Sequence, residues 1–181
     1  MPPKFWEVIK VDYLKDFIIP FRGLKAGVHQ FDYVIDNRFF DSIEYAELSK
    51  GDIKVSIELT QQERMLIFDF NIEGYVEVSC DRCLGKFNQE IAGSAKLIVK
   101  FGEDWVEESD EVIVIPEAEH QFDVSKYLYE YIVLLLPMRR IHPDDENGAT
   151  TCDEDIVKRL GHHPVNSGTD PRWDVLLKLK K

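Results

Sequence analysis

Two cysteines three apart, Cys80 and Cys83, are the residues of this chain best placed to do chemistry. In Cys80-Asp81-Arg82-Cys83 a turn can bring both sulfurs to one side, giving half of a tetrahedral zinc site or a dithiol redox pair. A third cysteine, Cys152, lies in a turn-rich stretch that begins ten residues earlier at His142. Together Cys80, Cys83, His142 and Cys152 form a candidate Cys3His set for one structural Zn2+, two ligands from a knuckle and two from a distant loop. The plainer readings are two small buried hydrophobes beside a turn, a surface histidine and an incidental thiol. His162 and His163 could replace His142, but Pro164 and its neighbours read as linker. A thioredoxin-like pair opens a helix, which lowers its thiolate pKa, whereas the surroundings here read as antiparallel strand. No G-x-S-x-G, P-loop, dinucleotide fingerprint or H-E-x-x-H occurs, so no small-molecule substrate is evident. A thiol-redox or other small enzyme using Cys80 and Cys83 is the alternative to a structural knuckle.

The elements that must position these residues are mostly strands. Tyr75 to Phe101 reads as a β-hairpin with the cysteine pair at its tip, Val76 and Val78 alternating on the way in and Ile91 and Leu97 to Val99 on the way out. Before it, Ile53, Val55, Ile57 and Leu59 share one face, and Leu66, Phe68, Phe70 and Ile72 share another, as in half-buried antiparallel strands. Gly74 is expected to break or bulge the ladder. Phe17 to Phe21, Val28 to Ile35 and Val112 to Ile115 read as further strands, and Glu103 to Glu111 as an acidic loop. Asp36 and Asn37 can cap a helix running through Ser42 to Glu47, and Asp123 another. In the second, Val124, Tyr127, Leu128, Tyr131, Ile132 and Leu135 form an apolar stripe that Pro137 ends after Leu136. One or two helical turns over Asp153 to Leu160 and a last short helix through Trp173, Leu176, Leu177 and Leu179 follow. The fold expected is α+β: a mostly antiparallel curved sheet or partial β-barrel, one main packed helix and a short C-terminal helix. Residues 1–137 would be a β-rich core and 138–181 a loop-rich extension.

With 181 residues, 44% of them hydrophobic and 31% charged, the chain has the composition of a globular protein. Three cysteines are too few for a disulfide framework, and the first residues show no apolar run of leader length, so the expected compartment is the cytoplasm. Ile132 to Leu136 is too short an apolar run to span a bilayer. The net charge of −12 is concentrated: residues 101–155 hold 16 of the 34 acids and three of the 22 bases. Such a chain is poorly suited to non-specific nucleic-acid binding, and its acidic part is either a solvated face or a surface for a basic partner.

Cys80-Asp81-Arg82-Cys83-Leu84, followed by Lys86 and Phe87, resembles the C-x-R-C-x-x-x-F signature of the YceD family, the large ribosomal RNA subunit accumulation proteins of bacteria and plastids. Leu136-Pro137 resembles that family's helix ending in L-P, the His142 and Cys152 spacing its following ligand-type residues, and Asp170-Pro171-Arg172 its closing element. These matches run in order from about residue 17 onward. Many members carry a second C-x-x-C after the L-P turn, where this chain has only Cys152. The resemblance implies a non-enzymatic ribosome-biogenesis factor needed for large-subunit (23S) rRNA accumulation, with the rRNA precursor or an assembly protein as partner. If RNA is touched, Arg82, Lys86, Arg139 and Arg140 are the candidates, since arginine suits bidentate phosphate contact and stacking on unpaired bases. Their plainer role is local: Arg82 bracing the knuckle, and Arg139 and Arg140 paired with Asp144 and Asp145.

Overall fold

Alternation decides the centre of the molecule. In the computed structural model, which describes residues 13–161, Ile53, Val55, Ile57 and Leu59 are buried while Lys54 and Glu58 between them are exposed. The strands in chain order are β1 Ile18–Ile19, β2 Gly27–Ile35, β3 Gly51–Gln61, β4 Met65–Ser79, β5 Lys86–Gly102, β6 Val106–Ser109, β7 Val112–Pro116 and β8 Phe122–Asp123. The helices are α1 Asn37–Ser42, α2 Ser125–Leu134 and α3 Glu154–Gly161. Six strands form one sheet in the order β2-β3-β4-β5-β7-β6, and β1 pairs with β8 in a separate two-stranded ribbon.

One face of the large sheet is apolar. Leu66, Phe68, Phe70, Ile72, Val76 and Val78 of β4 are all buried, as are Ile91, Leu97 and Val99 of β5. Covering that face are β1 and the 3-10 turn before it, α1, with Phe17 of that turn against Phe39 at 5.0 Å between ring centres, and α2, with Tyr131 against Phe70 at 5.2 Å. Each fully buried Leu, Ile or Phe contributes about 1.5–3 kcal/mol, so this single face dominates stability. Asp123 starts α2 by accepting the Ser125 amide at 2.8 Å, and the buried side of the helix is Val124, Leu128 and Ile132. Further along, the Tyr129 hydroxyl accepts the Glu47 amide at 2.8 Å, tying the helix to the segment before β3.

The α+β class holds, and several details differ from expectation. The sheet is open, ending at β2 and β6, rather than closed towards a barrel, and it is mixed, because β5 and β7 run parallel. Burial explains the insertion: Ile113 and Ile115 of β7 have apolar side chains for the core face, whereas every residue of β6 is exposed and stays at the edge. The acidic segment 103–111 therefore contains a strand, with a bulge between Glu107 and Ser109, where a loop was expected. Phe17 to Phe21 is not one strand: short 3-10 turns flank the two residues of β1. Helix α1 stops at Ser42 rather than Glu47, and α2 at Leu134 rather than Leu136. The last short helix through Trp173 to Leu179 lies outside the described residues. No described helix is long and apolar enough to cross a membrane.

Gly74 does not break the ladder. The registers of β3 with β4 and of β4 with β5 run through it without a shift, Gly74 facing Ile53 on one side and Ile91 on the other. What requires glycine is proximity: a Cβ there would lie 2.2 Å from the Asp52 carbonyl oxygen and 2.7 Å from the Ile53 Cα. At Gly93, by contrast, a Cβ would meet the end of the Leu135 side chain, which can rotate. Gly74→Ala is expected to cost about 2–3 kcal/mol and Gly93→Ala less than about 1 kcal/mol, read from urea unfolding midpoints at constant m-value. Equal effects of the two substitutions would show that backbone crowding at Gly74 is not limiting.

Candidate metal centre

The β4–β5 ladder ends at Ser79 and Lys86, and the six residues between them form the tip. Two backbone bonds fold it: Leu84 donates to the Cys80 carbonyl at 2.9 Å and Cys80 to the Gly85 carbonyl at 2.8 Å. The turn holds Leu84 at φ 61°, a left-handed conformation that costs a non-glycine residue about 1–2 kcal/mol. In return both cysteine side chains turn inward, Cys80 at 0% and Cys83 at 3% exposure.

The segment after α2 comes back across this tip. Asp81 and Arg140 exchange two bonds, the Asp81 amide to the Arg140 carbonyl and the Arg140 amide to Asp81 Oδ2, both at 2.7 Å. That brings His142 over the knuckle, its ring 4.8 Å from that of Phe87, with Nδ1 at 3.4 Å from Cys83 Sγ and 3.7 Å from Cys152 Sγ. Cys152 Sγ lies 3.7 Å from Cys80 Sγ. All four ligand atoms fall within 4.8 Å of one another, and Ile141, Ile156, Val157 and Phe87 pack around the cysteines. The group could hold a metal ion.

Its dimensions suit zinc. Zn–S bonds of about 2.3 Å and Zn–N bonds of about 2.0–2.1 Å at tetrahedral angles imply S···S edges of about 3.8 Å and S···N edges of about 3.6 Å. The three distances above match these edges, and all four atoms lie within 4.8 Å of one another. The thiols are prepared unequally. Burial pushes Cys80 up, but backbone amides of Cys83, Arg82 and His142 and the His142 side chain all bond to its sulfur and bring it down to about 5. Cys152 receives a Thr150 hydrogen bond that lowers it, yet burial and the neighbouring Cys80 and Cys83 sulfurs leave it raised. A thiolate at Cys80 beside a thiol at Cys152 is the arrangement that an ion, by displacing the second proton, would convert to two ligands.

A family profile described as "Large ribosomal RNA subunit accumulation protein YceD" matches residues 68–180. The chain belongs to the YceD family. The match starts within β4, not near residue 17, and takes in the cysteine hairpin, α2, the ligand loop and α3. No curated protein and no solved structure matches the chain significantly. At the tip Phe87 supports the His142 ring, and at Gly85 a Cβ would press to 3.3 Å on that ring. The Asp81 carboxylate, which sequence reasoning passed over, ties the returning segment down. Its position between a cysteine and an arginine gave no sign of that role.

The four basic candidates separate. Arg82 is a brace, donating from its guanidinium to Thr150 Oγ1 at 3.1 Å, and Lys86 pairs with Glu77 at 2.9 Å. Arg139 and Arg140 do not pair with Asp144 or Asp145, whose places are taken by turns within the loop; Asp145 Oδ1 accepts the Asn147 and Ala149 amides. Among the described residues neither guanidinium has an ion-pair partner. Arg139 is exposed, next to the fully exposed Met138, and Leu84 across the tip is 77% exposed. His162 and His163 lie outside the described residues. Arg82→Ala should speed hydrogen exchange at the Thr150 to Cys152 amides by about fivefold or more, the equivalent of one hydrogen bond of about 1 kcal/mol. Unchanged exchange there would mean that the knuckle and loop are held without the brace.

Proposed function

We propose that this protein is a non-enzymatic cytoplasmic factor that sustains accumulation of large-subunit rRNA, its hairpin tip fastened by a structural Zn2+ on Cys80, Cys83, His142 and Cys152. The observation that carries the metal part is the convergence of four ligand atoms, from two segments about sixty residues apart, within 4.8 Å. Membership of a family named for rRNA accumulation supports the rest. On this reading residues 1–137 are the β-rich core domain, and 138–181 an extension whose first part the metal orders. That part has few apolar residues of its own, so binding energy at the site is also folding energy for the loop. With four protein ligands the ion has no open position, so its role is structural.

The tip is the surface offered to the large-subunit rRNA precursor. Arg139 and Arg140 are the contacting pair, Arg82 and Lys86 being partly committed to Thr150 and Glu77. Guanidinium groups with no ion-pair partner among the described residues, at a tip where Met138 and Leu84 are exposed, suit phosphate contact and stacking on unstacked bases. A thiol-redox role fits less well. Its nucleophile must meet a substrate disulfide, and Cys80, whose sulfur the surrounding amides bring down to about 5, has no exposed surface.

Protein purified without chelator or metal-binding tag is expected to carry close to one zinc per chain by elemental analysis. Cys152→Ser should release it and make the 138–160 loop protease-sensitive, while far-UV circular dichroism still reports the sheet. Less than about a tenth of an equivalent of zinc, with all three thiols freely titratable, would leave the cysteines as packing alone. In cells, depletion should lower the large-subunit rRNA selectively; an equal fall of both rRNA species would count against the role. Arg139→Glu with Arg140→Glu should abolish co-sedimentation with precursor large-subunit particles at unchanged thermal stability, whereas retained association would remove the tip as the contact.

A further inference from the structure

Strand β5 has two edges, and one of them is largely unused. It pairs with β4 from Lys86 to Lys100, but β7 covers its other side only from Ile98 to Gly102. On that side the Ile98 amide donates to the Glu111 carbonyl at 2.8 Å. Because the β4–β5 register has no shift, the direction of the backbone groups alternates without interruption back along the strand. Glu90, Ala92, Ser94 and Lys96 therefore point their N–H and C=O groups away from β4, and all four residues are exposed. Among the described residues no backbone group pairs with those amides. Only the Glu90 carbonyl is occupied, by the Gln89 side-chain amide at 2.9 Å.

This open edge borders a cleft of about 1060 Å3 that is lined also by α2 and by the turn leading into β7. Tyr127, Tyr131 and Leu135 give it apolar surface, and Leu134, 77% exposed, and Tyr45, 92% exposed, stand at it with no apolar cover. Its charge is unbalanced. Glu47, Glu107, Asp110, Glu111 and Glu130 line it against two lysines, Lys96 and Lys126. Both lysines are engaged: Lys126 with Glu107 at 3.2 Å and Glu130 at 3.8 Å, Lys96 with Asp69 at 3.1 Å. Glu47, Asp110 and Glu111 have no ion-pair partner among the described residues.

A row of outward amides and carbonyls at strand spacing is matched by another extended backbone, and the surplus of carboxylates selects its side chains. We propose that the cleft seats an extended, Lys- or Arg-bearing segment of a partner protein, which adds to the open edge of β5 as a further strand and answers Glu47, Asp110 and Glu111 with its cations. A second copy of this chain fits worse. The two longest antiparallel β5–β5 registers that clear β7 set Lys86 opposite Lys96 or Glu90 opposite Glu90, and like charges directly opposite destabilise a pair. The proposal deepens the assembly reading and rests on it for the setting, since a basic, extended segment is the chemistry of polypeptide that lies along RNA.

The probe is a synthetic peptide of alternating lysine and valine, with a glutamate–valine peptide of equal length as control, added to the full chain with its metal content intact. Amide exchange is followed residue by residue by NMR. At saturation the lysine peptide should slow Ala92, Ser94 and Lys96 by about tenfold or more, leaving Ile91, Gly93 and Ala95, already bonded to β4, unchanged. Glu47→Lys with Glu111→Lys, both at exposed positions, should weaken binding by about tenfold or more. Absence of the alternating protection overturns the proposal, as does equal protection by the glutamate peptide or indifference to the charge reversal. Amides at Ala92 and Ser94 that are already slow before peptide is added would show that the chain's own terminal residues fill the edge, and would overturn it too. Failure here with a selective fall in large-subunit rRNA on depletion removes the docking cleft alone, whereas an unselective fall removes the assembly reading whatever the peptide does.

Discussion

The long register of β4 with β5 is the constraint on which the rest of this structure depends. Every residue of the 15-residue β4 has a partner on β5, from Met65 with Lys100 to Ser79 with Lys86. A one-residue slip of β5 along β4 would turn Ile91, Leu97 and Val99 to solvent, so burial of that face fixes the pairing. The fixed pairing in turn fixes the tip, because a hairpin closed at Ser79 and Lys86 leaves six residues to complete the turn. The knuckle is thus a consequence of the core, carried well beyond the face that α2 covers. Gly74 and Gly93 mark where this ladder is approached most closely, by the β3 backbone and by Leu135.

At the tip the balance of forces is different. Little apolar area is buried there, and the cluster of Cys80, Cys83 and Cys152 is separate from the main core. Backbone amides aimed at the Cys80 sulfur make a thiolate tolerable in a site with no exposed sulfur surface, which in an apolar pocket would instead be protonated. Such preparation suits ligation better than attack, since a buried thiolate is shielded from any incoming disulfide. The loop from Pro143 to Thr151 is held by Asp145, by Thr151 to the Pro143 carbonyl at 2.7 Å and by Arg82, all exposed or partly exposed polar contacts of small net worth. An ion at Cys152 and His142 would add the large term that this loop otherwise lacks.

Charge is divided in the same way as the fold. The acids of residues 103–111 surround β6 and the turn into β7, at the edge of the sheet and beside α2, while Arg139 and Arg140 sit across the knuckle. In a chain of net charge −12 the guanidinium groups of Arg139 and Arg140 thus stand at the knuckle, away from the acids that line the cleft beside α2.

By itself the sequence determined the parts governed by short-range pattern. Alternation in Ile53 to Leu59 and Leu66 to Ile72 specified strands and their inward faces, Asp123 and the Val124-to-Leu135 stripe specified a packed helix, and the cysteine spacing specified a knuckle. That Cys80, Cys83, His142 and Cys152 come together was legible as well, because the knuckle offered two cysteines and one turn-rich stretch offered the remaining cysteine with a histidine. Tertiary structure alone decided which strand lies beside β5. Both Val106–Ser109 and Val112–Pro116 can form strands, and burial of Ile113 and Ile115 gave the inner position to the second, making that pair parallel. It also decided that Gly74 is a crowding glycine rather than a bulge, since the clash is with a strand twenty-two residues earlier in the chain. Likewise, Arg82 reached Thr150, and Arg139 and Arg140 have no acidic partners among the described residues, because the Asp81 to Arg140 bonds set how the returning segment crosses the tip. Local sequence carries side-chain period and turn chemistry; which distant surfaces meet is settled by the burial of whole faces, and the contacts at their margins follow from that.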